Sequence, residues 1–424
     1  MIRIIKDELR KRDEIFASVT EKVDVSSVVS EIIERVRKEG DEALYYYAEK
    51  FDKASLTSLR VTDKEIADAV ASVEPRFIEV LERAAENITA FHEKQKRESF
   101  EINQKSGVIV GQKIIPVDCA GLYVPGGTAA YPSTVLMDAI PAKIAGCPRV
   151  VMVSPPDREG RINPVILAAA HVAGVDEIYK VGGAQAIAAL AYGTESIPKT
   201  DKIVGPGNAY VAEAKKQVFG VVSIDMIAGP SEIMIVADKT NRAKDIAADL
   251  LSQAEHDRMA SAVLATDSYD FALAVSEELE RQIPLLERAD IARTSIDTNG
   301  KIIVTESIDY CIDLANGIAP EHLEICVDDP MRYLPKIKHA GSVFLGKYCP
   351  EALGDYMAGT NHTLPTSGTA RFSSPLSVDD FIKKTQYIYY DKSALRDICY
   401  DVEYFAKKEG LTAHARSAVI RFED

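Results

Sequence analysis

The sequence predicts an α/β protein of two parallel-sheet units flanked by helical segments at both chain ends, and three observations predict it. Beyond residue 111, short β-branched runs (KIIPV, RVVMV, DEIYKV, KIVG) alternate with Ala-rich helical stretches such as TVLMDAIPAKIAG and AQAIAALAYG, the pattern of βαβ units. After residue 231 a second alternating set begins, with EIMIVAD, SAVLAT, KIIVT, LEICV and SVFLG as strands. Residues 25–98 instead repeat apolar side chains every three or four positions, as a helix requires.

In chain order, the opening MIRIIKDELRKRDEIF mixes charges with single apolar residues, too polar for the ~7–15-residue apolar core of an export signal. Residues 1–20 are expected to form a helical arm. Gly- and Pro-bearing junctions at 121–127 and 229–230 bracket the first alternating set as a unit of roughly 110 residues. From residue 379 onward only a helical pattern is read, closing on HARSAVIRFED.

Composition narrows the function. The 424 residues are 46% apolar and 27% charged, as in compact globular chains, and at ~100–200 residues per domain allow two or three of them. Fifty basic residues against 65 acidic ones leave a charge of -15, which repels phosphate backbones and argues against nucleic-acid binding. The longest apolar stretches, such as VILAAAHVAGV at 165–175, fall short of the ~20 residues of a membrane helix. A cytoplasmic protein with no membrane partner is expected. Cys119, Cys147, Cys311, Cys326, Cys349 and Cys399 are scattered without a CxxC pair and read as reduced thiols.

The search for chemistry begins with absences. None of the 24 glycines starts a GxGxxG dinucleotide fingerprint, and no Walker A sequence occurs. Gly205-Pro206-Gly207-Asn208 follows a strand and precedes a helical pattern, so its free amides could receive an anion. Of the seven histidines, His92 and His339 sit among charged residues and read as surface groups, while His171 in an Ala-rich helix reads as a core histidine. His256, His322, His362 and His414 each stand beside other ligand or acid/base groups.

Gln253 and His256, three apart at a helix end, project from one face and could share an ion, or be no more than a polar helix end. Asp355 and His362 lie in GDYMAGTNHTLPTSGTARFSSP, read as a long loop of the kind that is commonly functional. Gln, His and Asp together suit a borderline metal such as zinc. Adjacent Glu321 and His322 precede the strand LEICV; a turn there could aim both inward, giving two bases of different pKa for two proton removals, and an exposed polar pair is the other reading.

Four long blocks carry a resemblance: GLYVPGGTAAYPSTVLMDAIPAKIAG at 121–146, VGGAQAIAALAYG at 181–193, GPGNAYVAEAKK at 205–216 and IAGPSEI at 227–233. With LLSQAEHD, APEHLEI, GTNHTLPTSGTARFSSPL and EGLTAHARS following in order, nearly the whole chain resembles the histidinol dehydrogenase family. The resemblance implies a zinc-containing, NAD-dependent enzyme that oxidises L-histidinol through L-histidinal to L-histidine with two NAD, the last steps of histidine biosynthesis. It implies one Zn2+ per subunit held by Gln253, His256, Asp355 and His414, and Glu321 and His322 as the catalytic acid/base pair. It likewise implies substrate contacts from Ser231, Gln253, His256, His322, Asp355, His362, Glu409 and His414, and NAD contacts from Tyr123, Gln185 and Asn208.

The fold implied is two Rossmann-like units, one inserted in the other: 21–122 plus 232–377 carrying most metal and catalytic residues, and 123–231 binding the nucleotide. Helical extensions cover 1–20 and 378–424, the latter reaching the partner's site in a homodimer with shared active sites. Competing readings are a dehydrogenase of another small alcohol, such as a sulfonated propanediol, and a zinc hydrolase with Glu321 as general base. His362 and Glu409 speak against the former, because an anionic sulfonate favours a cationic group.

Overall fold

The computed structural model describes residues 1–6, 24–126 and 130–423. It divides into two compact units, residues 1–95 with 118–381, and residues 96–117 with 382–424. The larger unit starts with β1 (Arg3–Lys6) and four helices, α1 (Ser26–Glu39), α2 (Asp41–Tyr47), α3 (Asp63–Ser72) and α4 (Pro75–His92). Residues 3–6 of the expected helical arm are thus a strand; residues 7–20 lie outside the described residues.

The smaller unit holds the hairpin β2 (Phe100–Lys105) and β3 (Val108–Pro116) and the last three elements of the chain. In the larger unit, a five-stranded layer follows: β4 (Cys119–Tyr123), α5 (Pro132–Ala145), β5 (Arg149–Ser154), α6 (Pro164–Ala173), β6 (Glu177–Lys180), α7 (Gly183–Tyr192), β7 (Lys202–Val204), α8 (Ala209–Val218) and β8 (Ser223–Ile224). Its strands are parallel, in the order β6-β5-β4-β7-β8. Asn163 caps α6 through Val165 N, and Gly146 and Gly174 end α5 and α6 in left-handed conformations, as helix stop signals should.

The remaining alternation builds a six-stranded parallel sheet from β9 (Glu232–Ala237), α9 (Ala243–Ala254), β10 (Ser261–Thr266), α10 (Tyr269–Gln282), α11 (Ala289–Thr298), β11 (Lys301–Val304), α12 (Ile308–Ile318), β12 (His322–Cys326), β13 (Ser342–Leu345) and α13 (Glu351–Tyr356). Its order is β1-β11-β10-β9-β12-β13. Helices cover both faces, so β9 and β12 are buried almost throughout and β9 reads as an apolar run after Glu232, the signature of a central parallel strand. No described helix is long and apolar enough to cross a membrane.

Two sequence expectations change. Helices α1–α4 pack on α5–α8 of the five-stranded layer, and Val29, Ile33, Val36 and Leu44 share a core with Tyr123, Ile187 and Val211. The grouping of 21–122 with 232–377 is therefore not the one these contacts follow, and β4, which the expected boundary at 122/123 cuts, lies wholly in the five-stranded sheet. The 378–424 tail is not all helix: β14 (Ile382–Tyr390) pairs antiparallel with β3 along its length before α14 (Lys392–Lys408) and α15 (Thr412–Val419). The run IKKTQYIYY is rich in β-branched and aromatic residues, which favour strand.

Gly205, after β7, has φ +113°, and a Cβ there would lie 2.1 Å from the Tyr123 carbonyl oxygen. Its amide donates to Asp225 Oδ2 at 2.8 Å and its carbonyl accepts from Lys215 Nζ at 3.0 Å, while Lys215 and Asp225 form a buried ion pair. Gly205→Ala is expected to cost about 1–3 kcal/mol through the forced backbone alone, read as a lower urea midpoint; an unchanged midpoint would contradict this account of the loop.

Candidate active site

Two adjacent parallel strands begin at the site. In the register of β9 and β12, His322 stands opposite Ile233, so the backbone of Glu232 lies beside both candidate bases. Its amide donates to Glu321 Oε2 at 2.8 Å, and its carbonyl lies 2.9 Å from His322 Nδ1. A carbonyl can only accept, so Nδ1 carries the proton and Nε2 presents the lone pair. Glu321 Oε2 is 3.7 Å from Nδ1. The turn before β12 thus aims both neighbouring side chains inward.

Three further elements close around this pair. At the end of α9, Gln253 is buried and its Nε2 lies 3.3 Å from His322 Nδ1. His256 follows in the turn after α9, its amide donating to the Gln253 carbonyl at 3.1 Å. Helix α13 presents Glu351 and Asp355 one turn apart, with a carboxylate oxygen of each and a nitrogen of His322 within 4.8 Å of one another. Glu324 Oε1 anchors that short helix by accepting from Glu351 N at 2.7 Å, and Glu351 Oε2 accepts from Ser252 Oγ at 2.9 Å. Asp355 therefore sits on a helix rather than in the long loop expected.

The site is rich in buried acid. Glu321 and Asp355 form no ion pair with lysine or arginine among the described residues, and neither does Glu351. Burial pushes Glu321 well above the usual carboxylate range, with Glu232, Asp355 and Glu351 adding to it. Burial, then Glu351, pushes Asp355 up to about 9, and burial pushes Glu232 up to about 7. His322 is held below its ordinary value by burial, against the charge of Glu351.

Such a site fits a cation. Gln253 Oε1, His322 Nε2 and Glu351 Oε1 are buried without a hydrogen-bond partner, and buried polar atoms are otherwise almost always paired. His322, Glu351 and Asp355 offer ligand atoms within 4.8 Å of one another. Amide oxygen, imidazole nitrogen and carboxylate oxygen together suit zinc.

Ser231 immediately precedes β9, and its carbonyl accepts from Ser261 N at 2.9 Å. His362 lies beside α5: Nδ1 is 3.2 Å from the Asp355 carbonyl and Nε2 is 3.3 Å from Thr134 Oγ1. Burial pushes its pKa down to about 4, so the ring is neutral and both nitrogens already have protein partners. Its neighbour Asn361 donates to the Met137 carbonyl at 2.7 Å. That carbonyl is available because Pro141, four residues on inside α5, has no N–H to offer it.

The three NAD candidates gather at the carboxyl edge of the five-stranded sheet. Tyr123 ends β4, Gln185 lies in the first turn of α7 after β6, and Asn208 follows β7. The order reverses between β4 and β7, the switch point where open α/β sheets bind ligands. The GPGN amides are less free than expected: Asp225 takes Gly205 N, and Asn208 Oδ1 caps Tyr210 N and Val211 N at 3.1 and 3.2 Å. Tyr123 is buried, and its hydroxyl accepts from Gly183 N at 3.1 Å.

Glu409 and His414 belong to the smaller unit, where Glu409 ends α14, His414 lies on α15 and both are exposed. Two other histidines are corrected. His92 is fully buried, its Nδ1 2.8 Å from the Ile88 carbonyl, because it continues the buried stripe Leu81, Ala84, Ile88 of α4. His171 is exposed on the outer side of α6. Sequence reasoning missed Glu351, Glu324 and Thr134; the position of Glu351 one turn before Asp355 was the available signal for the first.

The sequence profile of the family described as histidinol dehydrogenase matches residues 17–422. A histidinol dehydrogenase of Bacillus cereus is 58% identical over 396 residues, 93% of this chain and 92% of that protein. One of Clostridium acetobutylicum is 53% identical over 428 residues, covering 100% and 99% of the two chains. The crystal structure of histidinol dehydrogenase from Elizabethkingia anophelis superposes with a TM-score of 0.94 at 41% identity, covering 99% of this chain and 98% of that one.

A raised carboxyl pKa in the folded state means that folding takes up a proton. Metal-free stability should then fall as pH rises from ~4 towards the value of about 9 held by Asp355. A ligand carboxylate must be ionised, so zinc binding near neutral pH should release at least about one proton per ion. Calorimetry in two buffers of different ionisation enthalpy measures it; binding without proton release would refute the assignment of Asp355.

Proposed function

The chain belongs to the histidinol dehydrogenase family, oxidoreductases of histidine biosynthesis, and from that premise we propose that Glu321 and His322 divide the proton work of oxidising L-histidinol through L-histidinal to L-histidine. The observation that carries the division is the peptide of Glu232, which fixes one base on its amide and the other on its carbonyl. Bound NAD supplies the hydride acceptor for each oxidation, and bound zinc supplies the charge that anchors the substrate's imidazole and amine nitrogens.

His322 Nε2 removes the hydroxyl proton as the carbinol carbon loses hydride. The aldehyde must next be hydrated, and Glu321, in its ionised form, takes a proton from the attacking water. His322 then removes a proton from the resulting gem-diol as the second hydride leaves, and the acid is formed. Gln253, His256 and Asp355 hold the metal with the partner chain's copy of His414, and Ser231, His362 and Glu409 orient the substrate. Glu351 is well placed to support Asp355. Tyr123, Gln185 and Asn208 receive NAD, their position at the switch point supporting that role.

In this reading the protein is a cytoplasmic homodimer of two nested Rossmann-like units per chain, with a tail that completes the partner's site. The family match lends no support to a dehydrogenase of another alcohol or to a hydrolase.

The first test is stoichiometry. The wild type should form about two NADH per histidinol; Glu321→Gln should fall towards one and accumulate histidinal, because only the second oxidation needs activated water. His322→Asn should slow both oxidations. Equal loss of both by the Glu321 variant would end the division of labour.

A second test addresses sharing. A mixture of His322→Asn and His414→Ala chains should regain roughly a quarter of wild-type sites, since random exchange makes about half the dimers mixed and each mixed dimer holds one intact site. Demonstrated exchange without recovered activity would place His414 in its own chain's site.

A further inference from the structure

We propose that Asp138 is a positioning residue for hydride transfer: its carboxyl group joins the segment that carries His362 to the loop that carries Asn208, through the single helix α5. The proposal rests on the reading of His362 and Asn208 as substrate and NAD contacts.

One turn of α5 holds the whole substrate-side segment. Thr134 lies at 3.3 Å from His362 Nε2, the Met137 carbonyl accepts from Asn361 at 2.7 Å, and Asp138 Oδ1 accepts from Thr363 Oγ1 at 3.1 Å. Asp138 is fully buried, and its second oxygen has no hydrogen-bond partner. That oxygen faces the nucleotide-side loop, where a Cβ added to Gly205 would come within 3.0 Å of it.

The charges near Asp138 do not balance. Lys215 is the cation of this pocket, and it is committed to Asp225 and to the Gly205 carbonyl. From the other side Asp138 meets Thr363, while Asn361 and His362 bond its helix neighbours Met137 and Thr134 and His92 lies 3.4 Å behind Asn361; none brings a positive charge, since burial holds both imidazoles below their ordinary pKa. Burial first, then Asp225, raises the Asp138 carboxyl well above its usual range. Asp138 thus bonds Thr363 through one oxygen and sets its other oxygen towards Gly205, leaving Lys215 to Asp225.

Substrate and nicotinamide must meet at a fixed separation, and displacement by about 1 Å can cost 10²-fold in rate. Removing the carboxyl group should therefore act on the hydride step more than on either ligand's binding.

The test uses the zinc-loaded enzyme with Asp138→Leu, which keeps a buried apolar group of similar size, and Asp138→Asn, which keeps a neutral hydrogen-bonding group. Asp138→Leu should bind NAD and histidinol separately as the wild type does, slow single-turnover hydride transfer about 10- to 100-fold, and enlarge the isotope effect with carbinol-deuterated histidinol; Asp138→Asn should restore most of the rate. Wild-type hydride transfer and isotope effect in the Leu variant would overturn the proposal. Should that variant not fold, unfolding of Asp138→Asn against wild type decides: the Asn variant's advantage should grow as pH rises above about 5, because the native acid's raised pKa costs stability as pH rises. Greater stability of the wild type at the upper pH would make Asp138 an ionised partner of Lys215 and overturn the proposal. His362→Gln and Asn208→Ala, measured for affinity in parallel, test the reading beneath: if neither changes its ligand's affinity, site reading and proposal fall together, and if both do while Asp138→Leu transfers hydride normally, only the role of Asp138 falls.

Discussion

A single residue's peptide groups set the geometry of the candidate site. The amide and carbonyl of Glu232 hold Glu321 and His322 respectively, and they can do so only because β9 and β12 pair with His322 opposite Ile233. In a parallel sheet a one-residue slip would turn every side chain to the other face, and the register here is pinned by apolar residues buried on both sides of β9. The packing of a hydrophobic core therefore decides which imidazole nitrogen carries the proton. Around that fixed pair, α9 and α13 deliver an amide and two carboxylates whose mutual repulsion makes the pocket receptive to positive charge.

The two sheets use opposite edges. In the five-stranded sheet the switch point between the carboxyl ends of β4 and β7 is lined by loops bearing Tyr123 and Asn208. In the six-stranded sheet the corresponding crevice beyond β9 and β12 is closed by its own side chains: Asn241 donates to the Cys326 carbonyl at 2.6 Å, and Lys347 bridges Asp328 and Thr240 at 2.6 and 2.7 Å. The candidate bases lie instead at the amino ends of the same strands. Thr134 and His362 mark where the two working edges come together.

What the sequence made legible follows from what local pattern can encode. EIMIVAD and LEICV announce buried strands because both faces are covered, and the adjacency of Glu321 and His322 is visible whatever the fold. Contacts between distant segments leave no such trace. Nothing in TVLMDAIPAKIAG says that Asp138 meets Thr363 across 225 positions, although a proline within a helix does say that a carbonyl four residues earlier needs another donor. His92 was hidden by its charged sequence neighbours, yet its spacing from Leu81, Ala84 and Ile88 already placed it on the inner face. The strand at 382–390 was masked by the helical pattern after it, since its pairing partner, β3, lies far back in the chain.

One topological detail bears on how the chain reaches this state. Among the described residues strand β1 pairs only with β11, Arg3 opposite Lys301, so on the ribosome this strand has its partner almost three hundred residues behind. At ~5–20 residues per second that separation amounts to about 15–60 s of synthesis. Meanwhile the helices and strands between residues 24 and 224 have every partner of the five-stranded layer in reach. Until then β1 is an unpaired edge, and its closure on β11 is the longest-range pairing of this sheet and one of high contact order.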